Sequence, residues 1–193
     1  MKTETDPLGL VTSYVYDYEE GQGEAGRLIR IEYPQVENEN GLLVTPKVTY
    51  SYNAFGLLES ETDLQGRITR YVYTQGTADE ASGGANARFA PGVIPVPGLL
   101  TQMIEDFGDA AHLNLITSYK DFDAQGNPQT VVDPRGNVTR YSYDALGRLL
   151  TITEPLGEVT KYEYDSNGNL VRQITGYTAK WRNRAQPVDA IHL

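Results

Sequence analysis

From residue 138 to residue 175 side-chain character alternates with a period of two. Val138-Thr139-Arg140-Tyr141-Ser142-Tyr143 puts Thr139, Tyr141 and Tyr143 on one face of an extended segment and Val138, Arg140 and Ser142 on the other. The segment is rich in β-branched and aromatic residues and has no helical periodicity, so it predicts a strand. The same trio returns as Thr12/Tyr14/Tyr16, Thr69/Tyr71/Tyr73 and Thr160/Tyr162/Tyr164, with Val48/Tyr50/Tyr52 as a variant. Each such run is about six or seven residues long, a usual strand length.

The breaks between these runs are as regular as the runs. Tyr141, Tyr143, Asp144 and Gly147 recur 21 residues later as Tyr162, Tyr164, Asp165 and Gly168. A fixed period of this kind decides the architecture. Each unit holds two turns. One kind starts on Asp or Asn: Asn53 to Gly56, Asp123 to Gly126, Asp144 to Gly147 and Asp165 to Gly168. The other often carries proline: Asp6 to Gly9, Asp133 to Gly136 and Glu154 to Gly157, and without proline Asp63 to Gly66. Asp or Asn first, Pro second and Gly fourth is the chemistry of a type I turn, with Gly as the left-handed residue of a three-residue hairpin loop. The reading is an all-β chain of consecutive antiparallel hairpins. In it Asp144 pairs with Arg148, Tyr143 faces Leu149 and Tyr164 faces Leu170. The Tyr/Leu face is expected to be the more buried, opposite a face carrying Arg140, Ser142, Lys161 and Glu163.

Two regions break the rhythm and divide the chain. Residues 1–73 read as hairpins with an expanded turn at 17–26. Residues 74–98, rich in Gly and Ala and holding Pro91, Pro95 and Pro97, read as a long loop, expected to be most mobile over 77–98. Hairpins resume over 99–175, with strand-like sequence at Leu99–Phe107 and Leu113–Phe122. Residues 176–193 carry no turn signal, so Asn169–Thr175 is expected to lack a following hairpin partner.

Composition narrows the function. A 193-residue chain with 39% hydrophobic and 22% charged residues is globular in type. A net charge of −10 argues against a phosphate-binding surface, since nucleic-acid binders need clustered Lys and Arg. No apolar run is long enough for a membrane helix, and Met1-Lys2-Thr3-Glu4 is unlike the start of an export signal. The absence of cysteine excludes disulfides and thiolate chemistry. The composition is unusual in its 14 Tyr and 19 Gly.

The motif G-x-x-T-x-Y-x-Y-D-x-x-G-R-L, read at Gly136–Leu149 and with Asn for Arg at Gly157–Leu170, resembles the RHS or YD-repeat family of bacterial polymorphic toxins, toxin-complex subunits, wall-associated proteins and teneurins. The resemblance covers roughly residues 4–73 and 117–175. It implies a curved sheet of hairpins forming part of a β-shell that encloses or presents a toxin or surface domain. It also implies a secreted or surface location, and partners that are further YD repeats of a larger chain or an enclosed toxin domain. Met1–Asp6 aligns with Leu149–Glu154, so the chain is expected to start inside a unit and to associate through its sheet ends.

Sharper chemistry is weakly represented. Asp6-Pro7-Leu8-Gly9-Leu10 is similar to the self-cleavage box of bacterial members of the family, yet it lies in register with Asp133-Pro134-Arg135-Gly136 and reads as a turn. Asp121, Asp123 and Gln125 resemble the start of an EF-hand loop, with Val132 where a bidentate Glu belongs. His112 and His192 have no metal-ligand spacing, and no unrepeated carboxylate pair suggests a glycosidase. Asn137-Val138-Thr139 is a sequon within a turn. No cofactor, metal or catalytic residue is assigned. The alternative is a carbohydrate- or protein-binding module using exposed Tyr.

Overall fold

A computed structural model of the protein describes residues 1–21, 23, 25–74, 97–176 and 190–192. Among the described residues the regular structure is all strand apart from one 3-10 turn at Asp17–Glu19, and turns and connections make up the rest. No described helix is long and apolar enough to cross a membrane. The chain divides into two compact units, Met1–Val72 with Met103–Leu115, and Tyr73–Gln102 with Ile116–Leu193. Strand β9 (Leu100–Glu105) straddles the division. The loop expected at 74–98 and the tail at 176–193 lie largely outside the described residues, as does the mobility expected for 77–98.

In the first unit the sheet runs in the order β1 (Lys2–Thr5), β2 (Val11–Tyr16), β3 (Leu28–Glu32), β6 (Lys47–Tyr52), β7 (Leu58–Thr62) and β8 (Ile68–Tyr73), every pair antiparallel. Between β3 and β6 a separate two-stranded arm, β4 (Val36–Glu37) with β5 (Leu43–Val44), interrupts the hairpin series. In the second unit β10 (Leu115–Phe122), β11 (Pro128–Val132), β12 (Val138–Tyr143), β13 (Leu149–Thr153), β14 (Val159–Tyr164) and β15 (Leu170–Ile174) pair in sequence, again antiparallel. β16 (Ala190–His192) then pairs with β15, Gln173 opposite Ile191. The strand ending the last full repeat therefore has a partner. It arrives after a long connection, so no tight-turn signal marks it.

The register is the one the turns dictate. Tyr143 lies opposite Leu149 and Tyr164 opposite Leu170, each beside a bulge at the preceding residue. The apolar side chains buried among the described residues fall on both faces. All ten repeat tyrosines are half-buried. Phe122 stands before Asp123 in the place of Tyr143 and Tyr164, whereas Val15 projects from the face opposite its neighbours Tyr14 and Tyr16, and Ile174 from the Lys161 face. Among the described residues each strand packs mainly on its hydrogen-bonded neighbours, so much of the shelter comes from the sides.

Candidate functional site

The recurring turn is built by one carboxylate. In Asp144–Gly147 the backbone closes twice, Gly147 N–H donating to Asp144 O at 3.0 Å and Asp144 N–H to Arg148 O at 2.9 Å. Asp144 Oδ1 then accepts from the N–H groups of Leu146 and Arg148, both at 2.9 Å. The same four bonds form at Asp6, Asn53, Asp63, Asp123, Asp133 and Asp165. Glu154 keeps only the backbone pair among the described bonds, because its carboxylate stands one methylene too far out. The eight repeat glycines, from Gly9 to Gly168, have φ between 77° and 87°, the conformation the bulged loop requires.

The second carboxylate oxygen is used as well. It accepts from the side chain four residues on: Arg67 Nε at 2.8 Å, Asn127 Nδ2 at 3.0 Å, Asn137 Nδ2 at 2.8 Å, Arg148 Nε at 2.6 Å and Asn169 Nδ2 at 3.0 Å. In these five turns the residue after Gly is thus a donor that closes the ring. These bonds favour the charged form. The backbone and guanidinium of Arg148 hold the Asp144 carboxyl below its ordinary range, and Asn137 and Asn169 do the same for Asp133 and Asp165.

The expanded turn at 17–26 keeps this chemistry across its insertion. Asp17 Oδ1 accepts from Gly26 and Arg27 N–H, Oδ2 from Arg27 Nε at 3.1 Å, and Asp17 N–H donates to Arg27 O. Asp17 is only 2% exposed. Burial works to raise its pKa, but the Arg27 bonds outweigh it and hold the carboxyl low. Asp17 and Arg27 therefore occupy the places that Asp144 and Arg148 hold in a tight turn.

In three repeats the tyrosine before the turn Asp or Asn links one hairpin to the one before. Tyr164 Oη donates to Leu149 O at 2.9 Å, Tyr143 Oη to Pro128 O at 3.3 Å and Tyr52 Oη to Leu28 O at 2.7 Å. The accepting residue follows the Arg or Asn that closes the earlier turn. In two copies that Arg also covers the ring, Arg148 over Tyr164 at 4.9 Å and Arg27 over Tyr52 at 5.2 Å. Burial pushes the Tyr52 and Tyr143 phenols up, which keeps the donating hydroxyl protonated. Tyr14 Oη instead donates to Glu4. Tyr71 and Tyr73 also have partners, and Tyr16 stacks on Tyr18 at 5.9 Å.

The other candidates have simple places. Asp6 is a turn former like the rest, and the Asp123 carboxylate is spent on Gln125 and Asn127. Among the described residues no three His, Asp or Glu side chains are grouped to hold a metal. His112 contacts Asp106 at 3.0 Å. Sequence reasoning missed a turn at Asn38–Gly41, which tips the β4–β5 arm and makes all four bonds. Its Asn-x-x-Gly spacing was the available signal.

The RHS Repeat family matches residues 122–158 and again residues 143–179. Residues 122–179 match RHS repeats. The two matched windows start one repeat apart, and each holds the Asp, Gly, Arg or Asn and Tyr positions described above. No curated protein matches the chain. Solved structures share its fold at low sequence identity. A crystal structure of TcdB2-TccC3-Cdc42 is 18% identical with a TM-score of 0.53, covering 79% of this chain and 7% of the other. A Photorhabdus luminescens Tc holotoxin pore carrying a TccC3 mutation is 19% identical with a TM-score of 0.56, covering 91% and 8%. TcdB2-TccC3 without its hypervariable C-terminal region is 15% identical with a TM-score of 0.55, covering 94% and 10%. The chain thus spans a tenth or less of the length of these three.

Proposed function

We propose that the chain is a non-catalytic length of wall in an RHS shell that encloses or presents a toxin or surface domain outside the cell. The observation that carries this reading is the bond from the Tyr of one repeat to the backbone of the hairpin before it, as from Tyr164 to Leu149. The side chains that define the motif are spent on extending the sheet: Asp and Gly make the turn, Arg or Asn closes it, and Tyr joins it to its predecessor. Fold likeness to Tc toxin structures supports the shell, whose other partners would be further repeats or the enclosed domain. A sugar-stacking role is less well supported, since Tyr52 and Tyr164 have a guanidinium over the ring and their hydroxyls committed.

Limited proteolysis of the whole gene product tests this. A domain outside the repeats should resist a broad-specificity protease until Gly168→Val or Tyr164→Ala loosens the wall. A domain cut equally fast with and without those substitutions would overturn the reading.

A further inference from the structure

The connection from β9 to β10, residues 106–114 of the first unit, follows a different plan from the repeat turns. Both of its ends are non-glycine residues in the left-handed region, Asp106 with φ 51° and Asn114 with φ 47°. Asp and Asn tolerate that conformation better than other side chains, but it still carries strain that surrounding bonds must hold. The neck is closed by Asn114 N–H donating to Asp106 O at 3.1 Å. The stem is fixed to β8, with Phe107 N–H on Ile68 O at 2.8 Å and Arg70 over the Phe107 ring at 5.0 Å.

The tip is held by Asp106 and Asn114. Asp106 Oδ2 accepts from Leu113 N–H at 2.8 Å, and Oδ1 meets His112 Nδ1 at 3.0 Å. Asn114 Oδ1 accepts from Gly108 N–H, and its amide donates to Gly108 O and His112 O. The His112 ring lies so close against Gly108 that a Cβ there would overlap it. Imidazole, carboxylate and loop backbone thus form one cluster, and a single titratable ring spans it.

We infer that residues 106–114 are a pH-sensitive clasp, shut by the His112–Asp106 pair and loosened when the imidazole loses its proton. The charges of Asp106 and Asp109 favour the proton. Asp109 stands on the same loop, and Glu61, Asp63 and Glu105 line the cleft that Asp106 enters. The cation in that cleft, Arg67, is bonded to Asp63 at 2.7 Å. The bond to Asp106 raises the His112 pKa above its ordinary value, and the same bond lowers that of Asp106. A group whose folded pKa is raised stabilises fully below its unfolded pKa and loses that contribution as pH rises through the folded one. For Asp106 the sign reverses, and its contribution is lost as pH falls through its lowered value. The clasp is tightest between the two and opens on the alkaline side of His112. This goes beyond the wall reading and does not depend on it.

The test is an NMR titration of the full chain with amide hydrogen exchange. The chain has two histidines, so His192→Gln assigns the His112 ring signals. The expected result is a His112 pKa above the free imidazole value. Protection of the Leu113 and Asn114 amides, corrected for intrinsic exchange, should fall about tenfold per unit of that elevation as pH passes through it. Amides of β12–β14 should not follow. In His112→Gln, whose amide can still donate to Asp106 without titrating, the profile should be flat. Wild-type protection that ignores the titration, a fall that persists in His112→Gln, or a His112 pKa at or below the free value would overturn the inference.

Discussion

Tyr164 Oη donates to the carbonyl oxygen of Leu149 at 2.9 Å, fifteen residues back along the chain. Leu149 starts β13 and Tyr164 ends β14, so the bond sits where two hairpins meet. Removing the hydroxyl leaves the ring and its Arg148 contact in place. Tyr164→Phe should therefore cost about 0.5–1.5 kcal/mol, the usual net worth of one such bond. Tyr162→Phe, whose hydroxyl has no such partner among the described residues, should cost close to nothing. Urea denaturation of both variants decides it, and equal costs would remove the special role of the second tyrosine.

Gly147 and Gly168 have φ of 77° and 87°, and an added Cβ would meet only one side-chain tip at ordinary contact distance, Asn127 Nδ2 at 3.6 Å and Arg148 Nη1 at 3.7 Å. Strain, not crowding, is the obstacle there. Gly147→Val should cost about 1–2 kcal/mol or more, since a β-branched residue is strained in the left-handed region. Substituting Ala145, in the same turn, should matter little. Thermal midpoints of the two variants report the difference.

The turn aspartates predict an acid limit. The Asp133, Asp144 and Asp165 carboxyls are held low by their hydrogen bonds to Asn137, Arg148 and Asn169. A depressed folded pKa means stability that is present above the unfolded value, about 3.9 for Asp, and lost as pH falls through the lowered one. The urea midpoint should stay high down to about pH 4 and then drop. An Asp144→Asn/Asp165→Asn double variant should show a shallower drop. The Asn53 turn, built on the same Oδ1 bonds without a titrating group, indicates that Asn supports the geometry.

The Glu154 turn can be improved. It has the backbone bonds of its siblings but not the carboxylate bonds to the second and fourth residues beyond. Glu154→Asp should supply acceptors for the N–H groups of Leu156 and Glu158 and raise the melting midpoint by about 2–4 °C. A lower midpoint would show that reach is not what separates Glu154 from the aspartates.

What could be read from the sequence follows the range of each interaction. Asp144 and Gly147 are legible because their partners lie within four residues, and propensity records such local bonds. The Asp17–Arg27 pair is legible only as a swollen turn, since nine intervening residues hide that it copies Asp144–Arg148. The Tyr164–Leu149 bond joins positions that no local pattern relates, so Tyr is seen as a strand former and not as a link. β16 reaches β15 after a connection without turn chemistry, and its pairing was hidden for that reason. The β4–β5 arm shows the converse, a legible Asn38–Gly41 turn inside a segment whose place in the sheet order is not local information.

Electron cryomicroscopy of the whole gene product tests the wall reading most directly. The account predicts that β1, an end strand of the first unit's sheet, has its outer edge paired with a strand of another RHS repeat, and that the sheet encloses a separate domain. An assembled protein in which the outer edge of Lys2–Thr5 and both sheet faces are open to solvent would contradict it.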